Sequence, residues 1–341
     1  MFQKINVKFK STLLRIVDDE YFVIESENQI FINKVSNLKQ ELIIRSKLPL
    51  SDIFIANSKW YAIDSIEGNL LKTNNDNTFN ICNKETKYSP FTFTNNKVRY
   101  RNFEKKSVGV YDLLKKKSIF EVQNLKSRYC FIKNDFLITD NTNSNQNDWT
   151  VIEKYNFSSN NFEWSFDLNT LYQNISVEKF ITLYKNILVI AGGYDKLIAL
   201  NIQTGKLLWQ IDKCNNTNYA LDKSDGKLKG ITNIGYFEVD IQKGAYKRTL
   251  FMDIEKMDDP TIFDSQRDNF VLVGNHIITT DWRKGLIGAF NTKTLQFDWI
   301  HEEKGVSFPG GNPIKYVEPY LFVIDNKNTL HIFKNDKKIL T

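Results

Sequence analysis

The chain has 341 residues, 41% hydrophobic and 25% charged, with only six prolines and fifteen glycines: the balance of a folded chain with a large core, not of a linker or a low-complexity tract. Lys and Arg outnumber Asp and Glu by only 46 to 40, and acidic pairs (Asp18-Asp19, Asp258-Asp259, Glu302-Glu303) interrupt the basic runs, which speaks against a nucleic-acid partner. Cys82, Cys130 and Cys214 are too far apart for a disulfide framework or a CxxC metal site, and the absence of an apolar leader or a bilayer-length apolar run gives a cytoplasmic, non-membrane expectation.

Along the chain, short runs rich in β-branched and aromatic residues alternate with turns of Asn, Asp, Gly and Lys. No segment holds a 3.6-residue periodicity over three turns. Residues 1–9 stand apart, and Ile5 to Phe9 are expected to pair as a strand with the first or last unit. The first two units of four strands fall near 12–17, 21–25, 29–33 and 40–45, then 52–57, 60–65, 69–73 and 78–82. The third takes 91–94, 97–102, 108–112 and 118–122, and the fourth 128–132, 136–139, 150–157 and 162–167. The fifth spans 177–184, 187–191, 197–202 and 207–211, and the sixth 218–222, 227–231, 235–241 and 245–251. The last two take 269–273, 276–280, 286–291 and 297–300, then 314–318, 320–324, 329–333 and 338–341.

One segment sets the repeat. Asn201 to Trp209 (NIQTGKLLW) is matched by Asn156 to Trp164 (NFSSNNFEW) and by Asn291 to Trp299 (NTKTLQFDW), with weaker copies at Asp112 and Asp240. A strand ends in Asn or Asp, a polar turn follows, and the next strand carries a large aromatic. Asn and Asp open such turns by accepting hydrogen bonds from their own backbone, and Gly supplies a positive φ. Thr204-Gly205-Lys206 is therefore a hairpin turn; a phosphate loop needs GxxxxGK[ST] between a strand and a helix. The turn positions recur 39 to 51 residues apart, close to the spacing of propeller blades.

Four-stranded units at this period resemble a β-propeller of the broad class that includes WD40-like and quinoprotein-like repeats. Within the fifth unit, GGYDKLIALNIQTGKLLW is similar to the quinoprotein (PQQ) alcohol-dehydrogenase-like repeat. The expected fold is all-β: one propeller domain over 1–341, eight four-stranded antiparallel blades counted, seven the alternative. The resemblance does not carry the family's chemistry. Those dehydrogenases are typically longer and exported, and bind the quinone with a stacked Trp, a calcium site and often adjacent cysteines. Adjacent cysteines are missing here, so no cofactor and no metal is expected.

Antiparallel strands put the connections between second and third strands, and those between blades, on one face. The long connections at 140–149, 212–217, 252–268 and 301–313 all fall there, which points to a working surface. Its candidate contact residues are Asn147, Asp148, Trp149, Asp253, Glu255, Met257, Asp258, Asp259, His301, Glu302, Glu303 and Phe308. Trp149 reads either as an interface anchor or as a strand-start core residue, with core favoured, and Phe308 reads as exposed at a turn-rich tip. His276, His301 and His331 have no metal-ligand spacing, and no nucleophile motif is present, so no catalytic residue is assigned. Asp140, Asp195, Asp281 and Asp325 all follow a second strand. They could ring a metal or sugar site, although turn formation is the favoured reading. The expected function is thus non-enzymatic binding of a protein partner on the long-loop face, as an inhibitor, immunity-type protein or scaffold. The alternative is an enzyme or ligand-binding propeller with a carbohydrate or small molecule in its central channel.

Overall fold

The computed structural model describes all residues except 1, 12, 27–28, 84–86, 95, 103–106, 124, 126, 134, 143–148, 217, 252–268, 282, 310–313 and 336–341. It is an eight-bladed β-propeller of four-stranded antiparallel sheets. After β1 (Phe2–Lys10), blade 1 runs outward through β2 (Leu13–Val17), β3 (Tyr21–Ser26), β4 (Gln29–Lys34) and β5 (Gln40–Arg45). Blade 2 takes β6 (Leu50–Ala56), β7 (Lys59–Asp64), β8 (Leu70–Thr73) and β9 (Phe79–Asn83). Blade 3 has β10 (Lys87–Thr94), β11 (Lys97–Asn102), β12 (Ser107–Asp112) and β13 (Lys117–Gln123). Blade 4 has β14 (Cys130–Lys133), β15 (Phe136–Asn141), β16 (Val151–Asn156) and β17 (Asn161–Asp167). Blade 5 follows with β18 (Val177–Tyr184), β19 (Ile187–Gly192), β20 (Lys196–Asn201) and β21 (Leu207–Ile211), and blade 6 with β22 (Tyr219–Asp222), β23 (Lys227–Thr232), β24 (Gly235–Asp240) and β25 (Ala245–Leu250). Blade 7 has β26 (Phe270–Val273), β27 (His276–Thr280), β28 (Leu286–Asn291) and β29 (Gln296–Glu302). Blade 8 has β30 (Lys315–Val317), β31 (Tyr320–Ile324) and β32 (Thr329–Asn335).

The fourth strand of blade 8 comes from the other end of the chain. Strand β1 pairs antiparallel with β32, with Ile5 opposite Ile332 and Phe9 opposite Leu330, as expected for a ring-closing strand. The sequence reading gave that fourth place to 338–341, which lies outside the described residues. An unclosed ring would leave the edge of β32 unpaired and open to other chains.

The middle strands read as continuous apolar runs because each is buried on both faces. In blade 5, Leu188, Ile190, Ile198 and Leu200 pack against Ile138, Ile152 and Trp164 of blade 4. The alternate residues Val189, Leu197 and Ala199 pack against Leu228 and Val239 of blade 6. Successive side chains of a strand point to opposite faces, so period-two alternation survives only on the outer strands. Such clusters fill all eight junctions, including blade 8 against blade 1 through Phe322, Ile332, Phe22 and Ile24.

The repeat is a turn with a cross-blade clamp. Asn201 Oδ1 accepts hydrogen bonds from the amides of Gln203 (2.9 Å) and Thr204 (3.1 Å), and Asp112, Asn156, Asp240 and Asn291 do the same in their own turns. The residue four positions on has positive φ in each case: Lys116, Asn160, Gly205, Gly244 and Leu295. Trp164 of blade 4 then donates its Nε1–H to the Ile202 carbonyl of blade 5 at 2.9 Å and lies over Gly205. Trp209 repeats the contact on Ile241 (2.8 Å) and Gly244 of blade 6.

Candidate functional site

Strand alternation fixes which connections share a face. The turns at one end, joining first to second and third to fourth strands, are two to five residues long. At the other end lie connections spanning 142–150, 168–176, 212–218, 251–269 and 303–314. The 168–176 segment, with a one-turn helix at Leu168–Thr170, is a long connection that the sequence reading did not include. It announces itself poorly because its apolar residues turn inward: Leu168 and Ile175 are buried against blades 4 and 5.

This segment also explains the glycine pair of GGYD. A side chain at Gly192 would come within 2.9 Å of Ile175 Cδ1, and Gly193 has φ +55°. Their carbonyls accept hydrogen bonds from the buried Asn216 amide, at 3.4 Å and 2.6 Å. The pair seats two neighbouring loops and is not built to hold phosphate. Directly beyond it, Tyr194 is 96% exposed, and Ile234 at the corresponding tip of blade 6 is 51% exposed. Beside Ile234 opens a pocket of about 470 Å³ whose lining includes Asp195, Cys214, Asn215, Ile234, Tyr246 and Arg248. Tyr246 is stacked on Phe237 at 6.3 Å, and the Arg248 guanidinium lies 5.9 Å from the same ring. Burial pushes the Cys214 thiol up to about 12, so it stays protonated and unreactive at neutral pH. The pocket therefore offers amides, aromatic faces and a cation, the chemistry of binding.

The residues expected on this face have different fates. Asn147, Asp148, Asp253, Glu255, Met257, Asp258 and Asp259 lie outside the described residues. Trp149 is half-buried and braced: the Arg128 guanidinium stacks 4.0 Å from its ring, and its carbonyl accepts the Val177 amide at 2.7 Å. Phe308 requires a correction. It is only 1% exposed and packs with Ile314, Leu321 and Phe333, edge-on to His331. The flanking Pro309 and Gly310 read as an exposed tip, yet an aromatic beside them pins the long loop to the core. Glu302 is exposed at the end of blade 7.

His301 and Glu303 belong to a knot at the ring closure. Glu303 Oε2 receives Lys4 Nζ from β1, His301 Nε2 at 3.2 Å and His331 Nδ1 at 3.8 Å, while His331 Nε2 meets Asp325 at 2.8 Å. Burial opposes ionisation of Glu303, but hydrogen bonds from Lys4 and His301 outweigh it and hold the carboxyl below its ordinary range. Among the described residues no group of three His, Cys, Asp or Glu side chains forms a metal-holding cluster.

Of the carboxylates at the ends of the second strands, Asp281 and Asp325 are turn-formers, whereas Asp140 and Asp195 are engaged differently. Asp281 Oδ1 accepts the amides of Arg283 (2.7 Å) and Lys284 (2.8 Å), and Asp325 Oδ1 those of Lys327 and Thr329. Asp64 of blade 2, which the sequence reading did not include, accepts three amides. Asp140 accepts the amides of Arg128 (2.7 Å) and Tyr129 (2.8 Å), and Asp195 pairs with Lys196 at 3.2 Å. These oxygens point at their own backbone and neighbours, which argues against a ligand ring built from them.

No protein-family model matches the chain, and no curated protein matches its sequence. Solved structures do match its shape. BamB from Moraxella catarrhalis is similar with a TM-score of 0.65 at 9% identity, over 98% of this chain and 100% of that one. The computationally designed Ika8 protein is similar with a TM-score of 0.64 at 11% identity, over 95% of this chain and 96% of that one. At such identities the likeness shows the fold.

Proposed function

We propose that the chain is a protein-binding propeller that holds its partner on the long-loop face, centred on blades 5 and 6. The observation that carries this reading is the exposure of Tyr194 and Ile234 at adjacent blade tips, with an open pocket lined by Ile234 and by Asp195, the neighbour of Tyr194. A tyrosine almost wholly in water is poorly used by the isolated chain, and aromatic anchors beside pockets are the residues that dominate interfaces. Within this reading the role is that of an inhibitor, an immunity-type protein or a scaffold. The repeat class closest to the quinoprotein-like type rests on blade 5, where the Gly, Asp, Thr-Gly and Trp positions coincide with the observed turn and clamp.

A photoreactive amino acid at position 194 or 234 tests the site directly. It is expected to crosslink a discrete partner in the native host, whereas the same group at Leu114, exposed on the opposite face, does not. Combining Tyr194→Asp with Ile234→Ser should weaken capture of that partner by roughly tenfold or more. Equal capture by the double variant, with its melting temperature unchanged, would sink the assignment to blades 5 and 6.

A further inference from the structure

A second feature of the loop face lies at the junction of blades 3 and 4, on different residues from those of the partner site. Arg99 and Arg101 stand two apart on β11, so their side chains leave the strand on the same side. Arg99 is 1% exposed and donates to the Ser127 carbonyl at 3.0 Å, the Ser127 hydroxyl at 2.6 Å and the Arg128 carbonyl at 3.5 Å. Arg128 itself is spent on structure, with Nε 3.3 Å from Asp140 Oδ2, a hydrogen bond to the Val177 carbonyl and stacking on Trp149. The Asp140 carboxylate meets Arg128 directly, and its charge also reaches Arg101. Its oxygens already accept the Arg128 and Tyr129 amides as well as Arg128 Nε.

Among the described residues Arg101 is the member left without a direct bond, although the Asp140 charge reaches it. It is half-buried near the loop-face end of β11, and among the described residues it makes no hydrogen bond or ion pair. Burial, and then the charge of Arg99, pull its pKa below the usual arginine value. The neighbouring Cys130 thiol cannot serve as counter-ion, because burial raises it to about 11 and leaves it neutral. A half-buried guanidinium beside a second cation is partly desolvated, and its remaining donors face water where an arriving acceptor can take them. Planar forks of this kind match the two oxygens of a carboxylate or phosphate.

We propose that the junction of blades 3 and 4 is an oxyanion-binding site in which Arg101 grips a carboxylate or phosphate group on the long-loop face. Arg99 contributes fixed positive field from behind, and Arg128, locked on Trp149, forms the wall. This site does not depend on the partner surface of blades 5 and 6.

Thermal melting of the full chain in low salt tests it, with inorganic phosphate and glutarate at about 10 mM as separate probes and sodium chloride at matched ionic strength as control. One or both oxyanions should raise the melting temperature by about 2 °C or more beyond the chloride control. Which of them does so distinguishes a phosphate from a carboxylate ligand. Arg101→Gln should abolish that rise while melting, without anion, at or above the wild-type temperature, since an unsatisfied charge has been removed. Arg101→Lys keeps the charge but not the fork and should retain a smaller rise. Arg248→Gln, on the same face, should leave the rise intact. No rise with either anion, an equal rise in Arg101→Gln, or a lower melting temperature of the unliganded Arg101→Gln protein would each overturn the proposal. The last outcome would show that Arg101 is a structural residue. Should Arg101→Gln not fold, an undiminished rise in Arg101→Lys would overturn it equally.

Discussion

At residue scale the fold is held by a small device used repeatedly. An Asn or Asp accepts two amides, the chain turns left-handed four residues on, and in blades 5 and 6 a tryptophan from the preceding blade closes over the turn. Each part constrains the next. Gly205 must be glycine twice over: its φ is +69°, and a Cβ there would lie 2.7 Å from Trp164 Cδ2. Gly205→Ala is therefore expected to cost about 2 kcal/mol in denaturant unfolding, roughly half from backbone strain and half from displacing the indole. Trp164→Phe keeps most of the apolar cover but loses the hydrogen bond to Ile202, for a cost of about 1–2 kcal/mol. At Leu295 the equivalent turn carries a side chain at φ +59° that packs against the core between blades 6 and 7, so Leu295→Gly relieves backbone strain but loses that packing and should not stabilise the protein. A Gly205→Ala variant as stable as wild type would show that the clamp yields freely.

At the scale of elements, the ring-closing strand makes blade 8 depend on both ends of the chain. The sequence shows that Ile5 to Phe9 form a strand and that a last blade exists. It does not show that the strand fills the fourth place, because 338–341 has comparable strand character and pairing is a long-range fact. Charge adds a lock to this pairing. Lys4 on β1 meets Glu303 beyond the end of blade 7, and Glu303 is also bonded by His301. Because the folded state holds Glu303 below its ordinary range, its ionised form contributes stability that is full at neutral pH and lost as pH falls through the folded value. Glu303→Gln should melt about 2 °C below wild type at pH 7, with the gap closing as the pH falls below the ordinary carboxylate range. Lys4→Met should reduce the same gap. A difference that persists unchanged at pH 3 would mean that packing, not charge, sets it.

At the scale of the whole molecule, eight blades were legible because strands buried on both faces leave continuous apolar runs at a regular period. The face proposed to bind was legible only as loop length. Tyr194 looks like any turn residue until its exposure is seen, Phe308 looks exposed until its partners are seen, and Arg101 resembles an ordinary surface charge on an amphipathic strand. Those distinctions arise between blades and have no local signature. The two proposed sites on the loop face differ in chemistry, the one at blades 5 and 6 presenting exposed Tyr194 and Ile234 beside a mixed polar pocket and the one at blades 3 and 4 a guanidinium cluster. Ionic strength separates them. Contacts through Tyr194 and Ile234 draw on apolar burial, whereas an anion at Arg101 is held by charge that salt screens over about 10 Å at 0.1 M. Raising sodium chloride from about 0.05 to 0.5 M should change partner capture by less than about threefold and weaken phosphate or glutarate binding by about tenfold. A parallel fall in both, abolished by Arg101→Gln, would mean that the partner itself brings the anion and that the two sites read one ligand.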